Sequence, residues 1–282
     1  MDFDFTKEQL MFKQELIRFA KKEIVPRVRE HDLKGEFDFE SFKKLGEFGI
    51  LGLHFPEELG GGGADVITTV LAGEALGEAG VDGGLTLAYG AHTFLCADTI
   101  FRHGTEAQKQ KFIPKLASGK SIGCMGLTEP NAGSDVASMT TSAEKKGDKY
   151  VLNGNKMFIT NGPIADVAVV YAKTRPELQH AGISAFVVEK GTKGFSAGPP
   201  LIKMGVRTSH TSELIFQNCE IPAENLLGKE GDGFLMAMQT VEWDRTRSLR
   251  HLSGLQHIFL KNAPSMPKAG YSSGGRSPSS RP

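Results

Sequence analysis

Cysteine, tryptophan and net charge are all scarce in this 282-residue chain, and each shortage excludes something. There are 3 cysteines, Cys96, Cys124 and Cys219, far apart and with no C-x-x-C pair. An odd, scattered set argues against a disulfide framework or a thiolate zinc site and suits a reducing compartment. The 8 histidines are also scattered. His251 and His257 miss the three-to-four-residue spacing of a helical metal pair, so no metal is expected. Lys+Arg and Asp+Glu both total 33, so no net field draws the chain to nucleic acid or to an anionic membrane. No stretch approaches the ~20 apolar residues of a membrane span. The longest apolar runs, Val167–Ala172 and Ile183–Val188, have strand length. The acidic start MDFDFTKEQL enters a helix at once, so neither a signal nor a transit peptide is expected and the cytoplasm is the expected location.

Nucleotide-binding fingerprints are lacking too. Gly119-Lys120-Ser121 imitates the end of a P-loop, but Pro114 stands where the motif needs glycine. Gly60–Gly63 is followed by Asp65 where G-x-G-x-x-G needs its last glycine, and Gly231-Asp232-Gly233 fails at Met236. No G-x-S-x-G marks a serine hydrolase.

What is present is globular in composition, with 39% hydrophobic and 23% charged residues. Thr6 and Gln9 form a capping box, flanked by a Phe5–Leu10 staple, and Leu16, Ile17, Ala20, Ile24 and Val28 follow as one helical stripe. Further helices are expected over Asp38–Phe48, with Phe39, Phe42 and Leu45 on one side, and over Asp65–Ala79 and Leu85–His103. Another starts at Thr105, where Thr105 and Gln108 repeat the capping-box spacing. Between Ser121 and Ile221 the pattern shifts to short β-branched runs punctuated by Gly, Asn and Pro. These runs are Ile122–Leu127, Val136–Glu144, Lys156–Thr160, Val167–Lys173, Ile183–Glu189 and Thr211–Cys219. No long helix separates them, which predicts antiparallel strands and not a doubly wound sheet. A helical pattern resumes at Gly233 and runs through Arg245. Residues 262–282 hold 6 Ser, 4 Pro and 3 Gly without apolar period, a composition that predicts disorder.

Two segments carry chemistry. Met125-Gly126-Leu127-Thr128-Glu129-Pro130-Asn131-Ala132-Gly133-Ser134-Asp135 leaves a strand as a loop. Its glycines permit close backbone approach, and Thr128 and Ser134 offer hydroxyls, which suits a flat heteroaromatic ring or a phosphate; taken alone it is also ordinary turn chemistry. In Lys156-Met157-Phe158-Ile159-Thr160-Asn161-Gly162, Phe158 and Thr160 share one strand face, and Asn161-Gly162 reads as a hairpin turn.

The ordered set of motifs resembles the acyl-CoA dehydrogenase family from about residue 3 to residue 246. It comprises Glu58-Leu59-Gly60-Gly61, Gly104-Thr105-Glu106-x-Gln108-Lys109, Thr128-Glu129-Pro130-x-x-Gly133-Ser134-Asp135 and Lys156-x-Phe158-Ile159-Thr160-Asn161. Ile221-Pro222-x-x-Asn225-Leu226-Leu227-Gly228, Gly231-x-Gly233-Phe234 and Asp244-Arg245 complete it. The resemblance implies an α+β fold: an N-terminal helical bundle over 1–120, an antiparallel β-barrel or sandwich domain over 121–232, and the start of a C-terminal helical domain over 233–261. The disordered tail would occupy 262–282, and the family's C-terminal four-helix domain would be essentially missing.

The cofactor it implies is FAD. Met125, Gly126, Leu127, Thr128, Gly133 and Ser134 would line the flavin, and Phe158, Ile159 and Thr160 would cover it. Thr128 would sit at the pyrimidine edge and Thr160 near N5; Phe158 stands where many relatives have Trp. Ser134, Glu242 and Arg245 would contact the acyl-CoA thioester. Apart from that role, Glu242 and Arg245 read as a surface ion pair. The implied reaction is α,β-dehydrogenation with hydride transfer to FAD and electrons passing to an electron-transfer flavoprotein. The alternatives are a fragment that binds FAD or acyl-CoA without turnover, and a flavin-dependent oxidase or monooxygenase on the same scaffold. The family's Glu base lies beyond this chain, so no catalytic residue is assigned. Relatives assemble as homo-oligomers through the C-terminal domain. The unrelated sequence after Arg245 is what a shifted or prematurely ended reading frame would produce.

Overall fold

The computed structural model describes residues 4–248 and 252–256. The predicted disordered segment 262–282 lies outside them. Helix α1 (Lys7–Glu23) starts as its capping box requires: the Gln9 amide donates to Thr6 Oγ1 (3.2 Å), and Gln9 Oε1 accepts from the Thr6 amide (3.1 Å). Leu16, Ile17, Ala20 and Ile24 are buried as one stripe, but Val28 is only half-buried. Pro26, which has no N–H to donate, ends α1 and opens a separate helix α2 (Val25–Lys34). Asp38 caps α3 (Phe39–Phe48). Phe42 and Leu45 are buried on it, while Phe39 is 56% exposed and so leaves the expected stripe.

The remaining helices of this part are α4 (Val66–Ala79), α5 (Gly83–Gly90), α6 (Asp98–His103) and α7 (Glu106–Ala117). The helix expected over 85–103 is therefore interrupted: Ala91–Ala97 winds as a π-helix between α5 and α6. A π-turn widens the helix by one residue and is found disproportionately at functional sites.

Eight strands follow: β1 (Gly123–Gly126), β2 (Ser142–Lys146), β3 (Lys149–Thr160), β4 (Val167–Lys173), β5 (Ile183–Glu189), β6 (Phe195–Ala197), β7 (Thr211–Pro222) and β8 (Leu226–Leu227). They form one sheet in the order β6-β7-β3-β2-β4-β5-β8, with β1 also on β4. Most pairs are antiparallel as expected, but β1 runs parallel to β4, with Gly123 opposite Val167, so the sheet is mixed. The run 136–144 is a strand only in its last part, since Val136–Ser138 is a 3-10 turn. Asn161-Gly162 closes no two-residue hairpin, because β3 pairs with β2 and β7 and not with β4.

Helix α8 (Gly233–Ser248) packs on the π segment, α5 and β5, and Thr240 bonds Thr99 hydroxyl to hydroxyl (3.0 Å). Helices and sheet share one layer of core, in which Cys96, Ile113 and Leu116 meet Val169, Tyr171, Val187 and Ala237, all fully buried. At roughly 25 cal/mol per Å² of apolar surface, that shared layer fixes the helical wall against the sheet. Among the described residues no helix is long and apolar enough to cross a membrane.

Candidate functional site

Between the sheet, the π segment and α8 lies a cleft of about 820 Å³. Each wall follows from local structure. Where β1 ends, the chain turns into the 125–136 loop and sends Met125, Leu127, Thr128, Gly133, Ser134 and Val136 to the cleft. On α8, Met238, Val241, Glu242 and Arg245 fall at i, i+3, i+4 and i+7, which is one helix face, and all four line it. Ala91 and Leu95 reach it from the π segment.

The fourth wall is the end of β3. The β3–β7 ladder loses register between Lys156 and Ile159, and Phe158 has a left-handed backbone (φ 60). A left-handed conformation costs a residue with a Cβ roughly 1–2 kcal/mol. Its effect is to turn Ile159 into the core while Phe158, 62% exposed, and Thr160 face the cleft. Strain of this kind persists where surrounding contacts impose it.

Three braces hold these walls. Asn161, fully buried and also left-handed (φ 66), donates its amide to the carbonyls of Ala88 (2.9 Å) and Gly123 (3.1 Å), tying α5 and β1 to the end of β3. His92 donates from Nε2 to Leu116 O (3.0 Å) and accepts the Gly123 amide at Nδ1 (2.9 Å), a pattern that fixes the neutral Nε2–H tautomer. Burial pushes its pKa down to about 4, against the Leu116 bond, so it stays neutral at pH 7. Glycine is required at 123 because a Cβ there would stand 2.7 Å from Cys96 Sγ.

The third brace is an ion pair behind the cleft wall. Lys156 Nζ donates to Glu129 Oε1 (2.7 Å), and both side chains are buried. Burial works against an ionised Glu129, but the Lys156 charge and the bonds from Lys156 and Thr140 outweigh it and hold the carboxyl down to about 2. Burial draws the Lys156 ammonium down to about 8, opposed by Glu129, so the pair is ionised at neutral pH.

Of the site residues expected from sequence, Met125, Leu127, Thr128, Gly133, Ser134, Phe158, Thr160, Glu242 and Arg245 all line this one cleft. Gly126 and Ile159 do not: both are buried behind the wall, and a Cβ on Gly126 would meet Lys156 Cγ at 3.1 Å. Glu242 and Arg245 are exposed on the cleft face and make no ion pair with each other. Sequence reasoning missed Ala91, Leu95, Val136, Met238, Val241 and Thr246. The helical spacing from Glu242 and Arg245 back to Val241 and Met238 was a usable signal. Nothing in the sequence announces the π-turn that presents Ala91 and Leu95.

Residues 6–120 match the model of the acyl-CoA dehydrogenase N-terminal domain, and residues 124–219 match that of its middle domain. A short-chain-specific acyl-CoA dehydrogenase of Clostridium acetobutylicum is 46% identical over 245 residues, covering 87% of this chain and 64% of the relative. The mitochondrial isovaleryl-CoA dehydrogenase of Pongo abelii is 46% identical over 244 residues, covering 85% of this chain and 57% of the relative. The chain thus spans somewhat under two thirds of the length of these curated relatives. Among solved structures, butyryl-CoA dehydrogenase from Megasphaera elsdenii is 41% identical with a TM-score of 0.88, over 96% of this chain and 72% of that one. A helical N-terminal part followed by a mixed sheet is the fold that this match supports. The chain belongs to the acyl-CoA dehydrogenase family.

Proposed function

We propose that this chain binds FAD and an acyl-CoA thioester in the cleft and serves α,β-dehydrogenation of the thioester. The observation that carries the reading is the convergence of the 125–134 loop, the bulged end of β3 and the Glu242–Arg245 face of α8 on one volume of about 820 Å³. That size suits a cofactor with part of a substrate. The surface fits a flat ring system: Met125, Leu127 and Phe158 offer apolar area, and Thr128 and Thr160 offer hydroxyls at its edges. Gly133 leaves open space where a Cβ would stand, so backbone there can approach a ligand. FAD, when bound, supplies the hydride acceptor.

The chain's own residues bind and orient. Thr128 and Thr160 hydrogen-bond the ring edge, and Ser134 meets the pantetheine arm. Arg245, beside Glu242, offers a forked cation to the polar part of the CoA moiety. Leu95, Met238 and Val241 form an apolar wall that excludes water from the acyl end. The names of the two curated relatives, short-chain and isovaleryl, support a short acyl group. Electrons would leave to an electron-transfer flavoprotein and the product would be a trans-2-enoyl thioester.

The test is a fluorescence titration of the chain with FAD, followed by butyryl-CoA, isovaleryl-CoA or palmitoyl-CoA. Saturable flavin binding, with short thioesters competing for or perturbing the bound flavin and R245A weakening only the thioester step, is expected. Absence of flavin binding would reject the reading.

A further inference from the structure

Buried charges beside a cleft invite a catalytic assignment, yet Lys156 and Glu129 are fully occupied. Glu129 accepts from Lys156 Nζ (2.7 Å), Thr140 N (2.6 Å), Thr140 Oγ1 (2.9 Å) and Thr141 N (3.0 Å). Lys156 Nζ also donates to Leu127 O (3.2 Å) and lies 3.9 Å from Met139 Sδ. Neither side chain lines the cleft. A carboxyl so stabilised as its anion is a poor proton acceptor at neutral pH.

Their placement in the chain matters more. Glu129 follows Thr128 directly, and Lys156 precedes Phe158 by two residues. Between Lys156 and Ile159 the β3–β7 ladder is interrupted, so ordinary strand pairing does not set where Phe158 stands. In its place the Met157 amide donates to Thr128 O (2.8 Å), Lys156 bonds Leu127 O, and the Lys156 stem runs under Gly126. Glu129 is itself fixed by a two-way backbone bridge to Ala132. Buried ion pairs contribute little net stability against apolar replacements, and their best-attested use is to fix register.

We propose that Lys156 and Glu129 are positioning residues: together they clamp the 125–134 loop to the bulged end of β3, so that the two surfaces facing the flavin ring keep one spacing before the ring arrives. The proposal rests on the FAD reading above for its ligand, but the clamp exists in the chain without it. A preorganised site saves the ordering cost at binding. The clamp also explains how a strained aromatic at Phe158 is held: Met157 is pinned on one side and Ile159 is buried on the other.

The test compares wild type, Glu129→Gln, Lys156→Met and the double variant, with Asp38→Asn as a control that breaks a remote ion pair to Arg27 in the helical part while keeping an N-cap oxygen. Two quantities are read: FAD affinity, and hydrogen exchange of the Met157 amide without FAD. The clamp predicts FAD binding weaker by about tenfold or more. It also predicts Met157 exchange faster by about tenfold or more, with the single and double variants alike affected. Asp38→Asn should lower the unfolding midpoint and leave both quantities at wild-type values. Wild-type behaviour of either quantity in the clamp variants overturns the proposal. So does a loss of FAD in Asp38→Asn that matches its loss of stability. Should Lys156→Met fail to fold, Glu129→Gln decides. Should wild type bind no FAD, the functional reading falls, and Met157 exchange alone decides the clamp.

Discussion

Acid should destabilise this protein through two named carboxylates, Glu129 and Asp38. Glu129 is held from an ordinary 4.5 down to about 2, because the Lys156 charge and the bonds described above outweigh its burial. A carboxyl so placed contributes about 3 kcal/mol when ionised. Asp38 is likewise held down to about 2, its burial outweighed by bonds from Arg27 and Ser41. Arg27 remains a third exposed, so solvent screening reduces that share to about 1–2 kcal/mol. Both folded pKa values lie below the unfolded ones. The stabilisation is therefore complete above about pH 4.5 and disappears as pH falls toward about 2. Against a total of about 5–15 kcal/mol for a domain, that is a large fraction. The assay is urea unfolding from about pH 7 to about pH 3. Wild type should lose stability steeply below about pH 4.5, and the E129Q/K156M double variant, lacking both charges, should fall less steeply. Parallel curves for the two proteins would refute the assignment.

Asn161→Ala leaves two buried carbonyls without their donor and puts a Cβ residue without a local hydrogen bond at φ 66, so a loss of about 2–4 kcal/mol is expected in denaturant unfolding. At Phe158 the side chain is mostly exposed and the backbone left-handed, so Phe158→Gly should be more stable than Phe158→Ala by up to about 1 kcal/mol in thermal unfolding. Both Phe158 variants should lose flavin affinity. Burial pushes the thiols of Cys96 and Cys219 up to about 12 and about 11, and Cys124 is raised well above its ordinary value. No thiol of the native chain should therefore react with a thiol reagent at about pH 8, and all three should react after denaturation.

The helices were legible because apolar spacing and caps agree. The Thr6–Gln9 and Thr105–Gln108 boxes form as read, and strands Val167–Lys173 and Ile183–Glu189 match their apolar runs. The failures have local causes. Pro26 splits a stripe that periodicity alone continues, and Phe39, on the expected stripe, turns outward against Phe37 (ring centroids 4.8 Å). The parallel β1–β4 pair joins segments some forty residues apart, and no turn chemistry signals it. At the site, each of the two segments taken alone is ordinary turn chemistry, and it is their order and spacing together with the other motifs that made them legible. The clamp stayed hidden because lysine and glutamate are read as surface residues by default, and only the fold shows that Lys156 is fully buried.

The visible absorption spectrum of the chain, taken after incubation with FAD and desalting and again after butyryl-CoA is added, tests the central claim most directly. Flavin bands that survive desalting and then change on addition of the thioester are predicted. A colourless protein, or a bound flavin indifferent to the thioester, would contradict it.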